Sequence, residues 1–365
     1  MRITKVRAVP HTVHNTLTGW KISTGGSDTH SLIFIRIDTD KGVFGVGVAS
    51  PGQIFISGDT QAHCLEMINQ VFGPAIVGTD PFDIEAIVSE LDGLSKGVER
   101  AKAGIDLALY DLMGKALAVP ANALFGGAVR ERVRVTRLMG MYAPKEMAEK
   151  SSAIVRKGYT ALKLKVGTTL KEDVERVQRV REAVGPDVTI TIDFNMHCTP
   201  KEAIERIQKM DPYDVAIAEQ PVKDTNLRGM ALVRQNVRPL ILADESVHSA
   251  VDALRVIENE AADVLSLKIP KMGGIFKVRK VAAVCEAAGV GYLIGTAPGS
   301  RLLDAANVHL AVSLRDLSLP CEIGEFERMG NDPCRGFEIV EGFSTPPQRP
   351  GLGVEVDLTK LGLGE

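Results

Sequence analysis

Five short apolar runs decide how this chain folds: ALKLKV (161–166), VTITIDF (188–194), VAIAEQP (215–221), LILADES (240–246) and VLSLKI (264–269). Each is β-rich and has the length of a buried strand. Each also carries a charge near its C-terminal end, namely Lys165, Asp193, Glu219, Asp244 and Lys268. By subtraction, successive charges lie 28, 26, 25 and 24 residues apart, which is what one strand, one helix and two short loops require. Repeated βα units of that period predict a (β/α)8-type barrel, whose reacting groups gather where the strands end.

The period extends outward. GYLIGT (291–296) and CEIGEF (321–326) supply strands seven and eight, and the first strand is expected around 132–139. Upstream, SLIFIRID, the turn DTDKG and VFGVGVA read as a hairpin. GWKISTGGSD before it and SPGQIFISGDT after it read as loops. Residues 61–119 read as helical, with Asp80 as an N-cap candidate, Pro81 in a first turn, and Pro120 ending a long helix. The chain therefore divides into an α+β capping domain (1–127), a barrel (128–328) and a Pro- and Gly-rich C-terminal segment (329–365) that packs on the cap.

Composition bounds the function. At 365 residues the chain exceeds one barrel of roughly 250. A hydrophobic content of 45% and a charged content of 24% are ordinary globular values. The net charge of −3 leaves no basic footprint for nucleic acid or an anionic membrane. No apolar run approaches the roughly 18 residues that span a bilayer. No secretory signal is visible, so a cytoplasmic location is expected. The five cysteines are far apart and odd in number, which argues against a disulfide framework and a thiolate metal site.

Alternate side chains of a barrel strand point inward, so Lys163 and Lys165 share the interior with Asp193, Glu219, Asp244 and Lys268. Inward charge is costly to bury unpaired. A single acid at a barrel mouth is ordinarily a salt-bridge partner, but five charges on consecutive strands, running from Lys through three acids to Lys, describe a site. Three crowded carboxylates call for a divalent ion, and all-oxygen ligation favours Mg2+ before Mn2+. The two end lysines fall on strands nearly across the barrel from one another, so they address opposite faces of one carbon. Lys163, roughly 7 Å from Lys165 by strand rise, repels it by about 2.4 kcal/mol at an effective dielectric near 20. That repulsion is expected to lower the pKa of Lys165. His197 and His248 follow two of the acids but are more economically read as loop residues.

At Lys163-Leu-Lys165, Asp193-Phe-Asn195, Glu219-Gln-Pro221, Asp244-Glu-Ser246 and Lys268-Ile-Pro-Lys-Met-Gly-Gly274 the chain resembles the enolase superfamily, and within it the muconate-lactonising (muconate cycloisomerase) group. The resemblance runs over essentially the whole chain. It implies metal ligation by Asp193, Glu219 and Asp244, with Asn195 behind the metal and Glu245 orienting Lys268. It also implies a cap whose loops close over substrate, so Trp20, Lys21 and Phe55 join Thr296 and Glu325 as substrate-binding candidates. Glu325 takes the place of the strand-eight glutamate that faces substrate in the cycloisomerases. Strand seven lacks the histidine base of the mandelate-racemase branch. Gly45-Val-Gly47-Val48 replaces the common Gly-x-Gly-Glu, and strand eight lacks the Asp-x-Asp that holds the amino terminus in dipeptide epimerases.

The resemblance thus implies a homo-oligomeric enzyme that removes the α-proton of a small carboxylate to form a metal-stabilised enediolate. Isomerisation, as a cycloisomerase or as a racemase or epimerase, is the first expectation; dehydration of a hydroxy acid or hydroxyproline-like substrate is the second. Two rivals come from other classes. A Schiff-base aldolase would use the strand-six lysine without metal, and a silent barrel would only bind a carboxylate.

Overall fold

The computed structural model describes residues 1–17, 19–21, 25, 28–52, 58–317 and 319–364. The N-terminal sheet is built from β1 (Ile3–Asn15), β2 (Thr29–Thr39) and β3 (Phe44–Ala49), joined antiparallel in the order β1-β2-β3. Three helical stretches follow: α1 (61–76), α2 (Ile84–Leu94) and α3 (Glu99–Leu117). Helix α2 starts later than Asp80 would place it. Asp80 instead closes a turn, its carboxylate accepting from Phe82 N at 3.1 Å, and the cap position falls to Asp83.

Helix α3 lies directly on β3 because the strand has no side chains in the way. A Cβ on Gly45 would stand 2.0 Å from the Ala108 carbonyl oxygen, and one on Gly47 would stand 2.1 Å from that of Gly104. The departure from Gly-x-Gly-Glu leaves these two glycines intact, and the polar contact here comes from Asp111, which accepts from Val46 N at 2.8 Å.

The barrel runs β5 (Arg137–Met139), β6 (Ala161–Lys165), β7 (Thr189–Asp193), β8 (Ile217–Glu219), β9 (Leu240–Ala243), β10 (Val264–Leu267) and β11 (Gly291–Ile294), all parallel and paired in sequence order. Helices α4 (Pro144–Val155), α5 (Leu170–Val184), α6 (Pro200–Met210), α7 (Leu227–Asn236), α8 (Ala250–Glu258), α9 (Ile275–Ala288) and α10 (Arg301–Ser313) alternate with them. The piece β4 (Val133–Arg134), inside the expected first strand, pairs with Phe343–Ser344 instead.

The eighth strand is reduced to a bridge. Val135 pairs with Cys321, and Glu322 N reaches the Ile294 carbonyl at 2.8 Å, which closes the cylinder. Gly324 then adopts φ +106, a left-handed conformation that ends extended pairing. A 3-10 turn, Glu325–Arg328, follows, where an eighth helix would stand. The chain passes instead to β12 (Met329–Gly330), which adds to the cap sheet beside β1. Later residues return to the cap as well. Gly351 bridges Pro120, Arg7 donates to the Gly364 carbonyl at 2.9 Å, and Arg36 donates to that of Leu363 at 2.9 Å.

Candidate active site

At the C-terminal mouth of the barrel the strand register sets the charges side by side, with Lys165 opposite Asp193 and Asp193 opposite Glu219. Every one of them is buried. Lys165 Nζ donates to Asp193 Oδ2 at 2.5 Å and to Asn195 Oδ1 at 2.9 Å. On the far side, Lys268 Nζ donates to Asp244 Oδ2 at 2.5 Å. Strands β6 and β10 are four steps apart in either direction around a barrel of seven strands and the closing segment. The two lysines therefore approach the centre from opposite walls.

Lys163 occupies the floor. Its ammonium lies 3.0 Å from Glu219, 3.3 Å from Asp193 and 2.5 Å from Glu322. Burial alone would lower its pKa, but Glu219, Glu322 and Asp193 together hold it well above the usual lysine value. The expected role of Lys163, lowering Lys165 by repulsion, does not follow from this geometry, because three carboxylates already neutralise its charge. Among the acids, burial and then Asp193 drive Glu219 well above the carboxylate range. Asp193 is held at about 2 by Lys165 and Lys163 in spite of burial. Asp244 is held well down, against burial, by Lys268 and Lys271.

Two residues of this centre were not singled out in the sequence. Lys271 sits one turn beyond Lys268 on Ile269–Met272 and donates to Asp244 Oδ1 at 2.8 Å and to its carbonyl at 2.5 Å; Lys-x-x-Lys spacing on a helical turn is the signal that reveals it. Glu322, rather than Glu325, is the strand-eight glutamate that reaches Lys163. The arginine of the capping helix, Arg100, also lines the cavity and donates to the Ser50 carbonyl at 2.8 Å; nothing in its local sequence marked it.

The remaining candidates divide. Asn195, in the left-handed region at φ +43, joins Lys165 to Glu245 through its amide, which donates to Glu245 Oε1 at 3.1 Å. Glu245 thus faces Asn195, and the partner that orients Lys268 is Asp244. Thr296 and Trp20 line the cavity. Lys21 does not: its backbone carbonyl accepts from Met141 N at 2.8 Å, and this pairing turns Trp20 inward and leaves Lys21 exposed. Phe55 lies outside the described residues. Glu325 lines the cavity, but its Oε2 accepts from Arg328 Nε at 2.9 Å and also from Arg328 Nη2. His248 lines the rim, with its ring bonded to the Glu245 carbonyl at 2.9 Å, and His197 is exposed.

Among the described residues no three acids, histidines or cysteines close on a common point as a finished coordination shell; the lysines stand between them. The donor set nevertheless fits a hard divalent cation. Five buried carboxyls (Asp193, Glu219, Asp244, Glu245 and Glu322) face three buried ammoniums (Lys163, Lys165 and Lys271) and the half-buried one of Lys268. Glu245 Oε2 and Glu322 Oε2 are buried without a partner. The balance becomes more negative once a lysine gives up its proton to act as a base. All donors are oxygens, which suits Mg2+.

Comparison with known proteins agrees with this architecture. Residues 4–126 match the family described as "Mandelate racemase / muconate lactonizing enzyme, N-terminal domain", and residues 146–360 match "Enolase C-terminal domain-like". The chain belongs to this family of the enolase superfamily, in the group that includes the muconate-lactonising enzymes. It is 38% identical to the hydrophobic dipeptide epimerase of Enterococcus faecalis over 81% of this chain and 83% of that one. The crystal structure of the E. faecalis V583 dipeptide epimerase with Mg and L-Leu-L-Tyr superposes with a TM-score of 0.93 at 34% identity, covering 97% of this chain and all (100%) of that one. Identity to the N-succinyl-L-Arg/Lys racemase of Bacillus cereus is 30%, over 92% and 90% of the two chains. Muconate cycloisomerase 1 of Pseudomonas putida is 30% identical over 93% and 92%. The chain is an enzyme of the isomerase kind, and its reaction starts with removal of the α-proton of a carboxylate substrate.

Proposed function

We propose that this enzyme racemises or epimerises the α-carbon of a small carboxylate derived from an amino acid, with Mg2+ held by Asp193, Glu219 and Asp244. The placement of Lys165 and Lys268 on opposite walls carries the reading, since inversion at carbon needs a base on one face and an acid on the other. The epimerase and racemase relatives support the substrate class, and the all-oxygen donor set supports the metal. When bound, the cation supplies charge compensation to the substrate carboxylate as its α-carbon is deprotonated. The chain's own residues do the rest. One lysine takes the α-proton, the other returns one from the opposite side, and Asn195 and Asp244 hold the two ammonium groups in place. Lys163 and Lys271 keep the acids anchored between turnovers. Five buried free cysteines suit a reducing compartment, and we place the enzyme in the cytoplasm.

The test is exchange in D2O with Mg2+, using each enantiomer of a panel of amino acid carboxylates. Product should carry one solvent deuterium at the α-carbon. Lys165→Met and Lys268→Met should each suppress exchange from one enantiomer by about 100-fold or more while sparing the other. Equal loss from both enantiomers refutes the two-faced assignment. Full activity in EDTA, with trapping by borohydride, identifies the Schiff-base rival instead.

A further inference from the structure

One group in the cavity is unused by proton transfer. Arg328 is 2% exposed, yet its Nη1 has no hydrogen-bond partner. The rest of its guanidinium is fixed. Nε and Nη2 donate to Glu325 Oε2, and the Trp20 ring lies with its centroid 4.2 Å from the guanidinium carbon. The open nitrogen thus belongs to a planar donor with one edge locked and one face stacked. His30, from the cap, lines the same cavity, and its Nε2 is also buried without a partner. Burial, then Arg328, brings the pKa of His30 down to about 4, so its ring is neutral near pH 7 and either nitrogen can carry the proton.

A buried donor left unpaired costs about 1–3 kcal/mol. Such an atom beside a binding cavity marks where a ligand completes the pairing. Trp20 and His30 come from the cap and Arg328 from the 3-10 turn beyond the closing segment, whereas Lys165 and Lys268 come from the barrel strands and their ends. The local charges balance, Arg328 against Glu325 and Arg137 against Glu327 at 3.1 Å. The open donor therefore lacks only an acceptor oxygen.

Resting on the racemase or epimerase reading for the other end of the substrate, we infer that Arg328 is a specificity residue that receives an oxygen acceptor at the distal end of the substrate, with His30 beside it and Trp20 as a flat wall. Two chemistries offer that oxygen, a carboxylate and an amide carbonyl. Glu325 is then a positioning residue, and its part in substrate selection passes through Arg328.

Trp20 is the sole tryptophan of the chain, so intrinsic fluorescence reads this end of the cavity directly. The experiment titrates the full chain in Mg2+ with three N-acylated amino acids that differ only at the acyl terminus. Succinyl ends in a carboxylate, succinamyl in an amide, and 4-methylpentanoyl in a branched alkyl group of similar shape. At least one oxygen-ended ligand should perturb Trp20 emission and bind about 10- to 100-fold more tightly than the alkyl-ended one; which of the two does so identifies the acceptor. Arg328→Met combined with Glu325→Gln, which leaves no lone buried charge, should erase the difference. Equal binding of all three ligands to the unaltered protein, or no response of Trp20 to any of them, overturns the inference without recourse to a variant. Exchange of the α-proton in D2O is scored separately. Exchange without discrimination defeats this assignment alone, and discrimination without exchange defeats the proposed reaction alone.

Discussion

Replacing Lys163 by Met should convert a stable barrel mouth into one that depends on Mg2+. The ammonium it removes lies 3.0 Å from Glu219, 3.3 Å from Asp193 and 2.5 Å from Glu322, and none of those four side chains is more than 2% exposed. Breaking a buried ion pair by deleting one partner costs about 3–5 kcal/mol, because the other charge stays behind. Here three acids stay behind, and part of the cost is relieved as one of them takes up a proton. With about 2–4 °C per kcal/mol for a domain of barrel size, melting in EDTA should fall on the order of 10 °C. Saturating Mg2+, at about 100 times its dissociation constant, returns ~2.7 kcal/mol, and more if the vacated ammonium position eases its binding. The assay is a melting curve for both proteins with EDTA and with Mg2+. A variant as stable as the parent in EDTA would show that Lys163 does not hold the acids together. A Mg2+ shift no larger in the variant than in the parent would show that ion and ammonium do not compensate the same charges.

Three further outcomes follow from particular contacts. Gly47→Ala forces a methyl to within 2.1 Å of the Gly104 carbonyl oxygen and should cost ~3 kcal/mol in denaturant unfolding; in contrast, Gly93→Ala, where a Cβ meets nothing within 4 Å, should be neutral or stabilising by up to ~1 kcal/mol. Asp106 is buried where α3 meets α9, accepting from Ile275 N at 2.6 Å, and burial raises its pKa to about 7 from an ordinary 3.8. Between those values only the folded state holds the proton, so its contribution to stability is complete below the lower value and is lost as pH rises through the upper one; unfolding of the parent minus Asp106→Asn should slope downward across that window by at most ~1.4 kcal/mol per pH unit, and a flat difference would show that the two backbone donors keep the carboxylate ionised. Lys271→Met should leave Asp244 without one of its two ammonium partners and lower turnover with less effect on substrate KM, and unchanged turnover would relieve Lys271 of any positioning role.

The barrel was legible because its strands carry two independent marks, a run of β-branched and aliphatic residues and a charge at a fixed offset. Lys165, Asp193, Glu219, Asp244 and Lys268 all fall at strand ends, where side-chain parity alone brings them together. Where structure departs from strand geometry, the reading lost accuracy. CEIGEF reads as continuous strand, which favours Glu325; the turn at Gly324 instead separates Glu322, which reaches Lys163, from Glu325, which turns to Arg328. Lys21 and Trp20 are adjacent in sequence but take opposite sides because of one backbone pairing to Met141 that no local pattern encodes. The tuning expected of Lys163 rests on pairwise repulsion along one strand, whereas neighbouring strands place Asp193, Glu219 and Glu322 around its ammonium.

Asp111 shows what the missing eighth helix makes possible. Freed from the barrel after Gly324, the chain runs back so that Asp111 accepts from Leu352 N at 2.9 Å with one oxygen and from Val46 N at 2.8 Å with the other. One carboxylate therefore spans contacts drawn from the start, middle and end of the polypeptide. The pairing to Leu352 closes a loop of 241 residues that contains the whole barrel, whereas that to Val46 spans 65, and the longer closure carries the larger entropy cost. The cap is thus completed by residues that lie on both sides of the barrel in sequence, so its closure carries the loop entropy of the whole intervening segment.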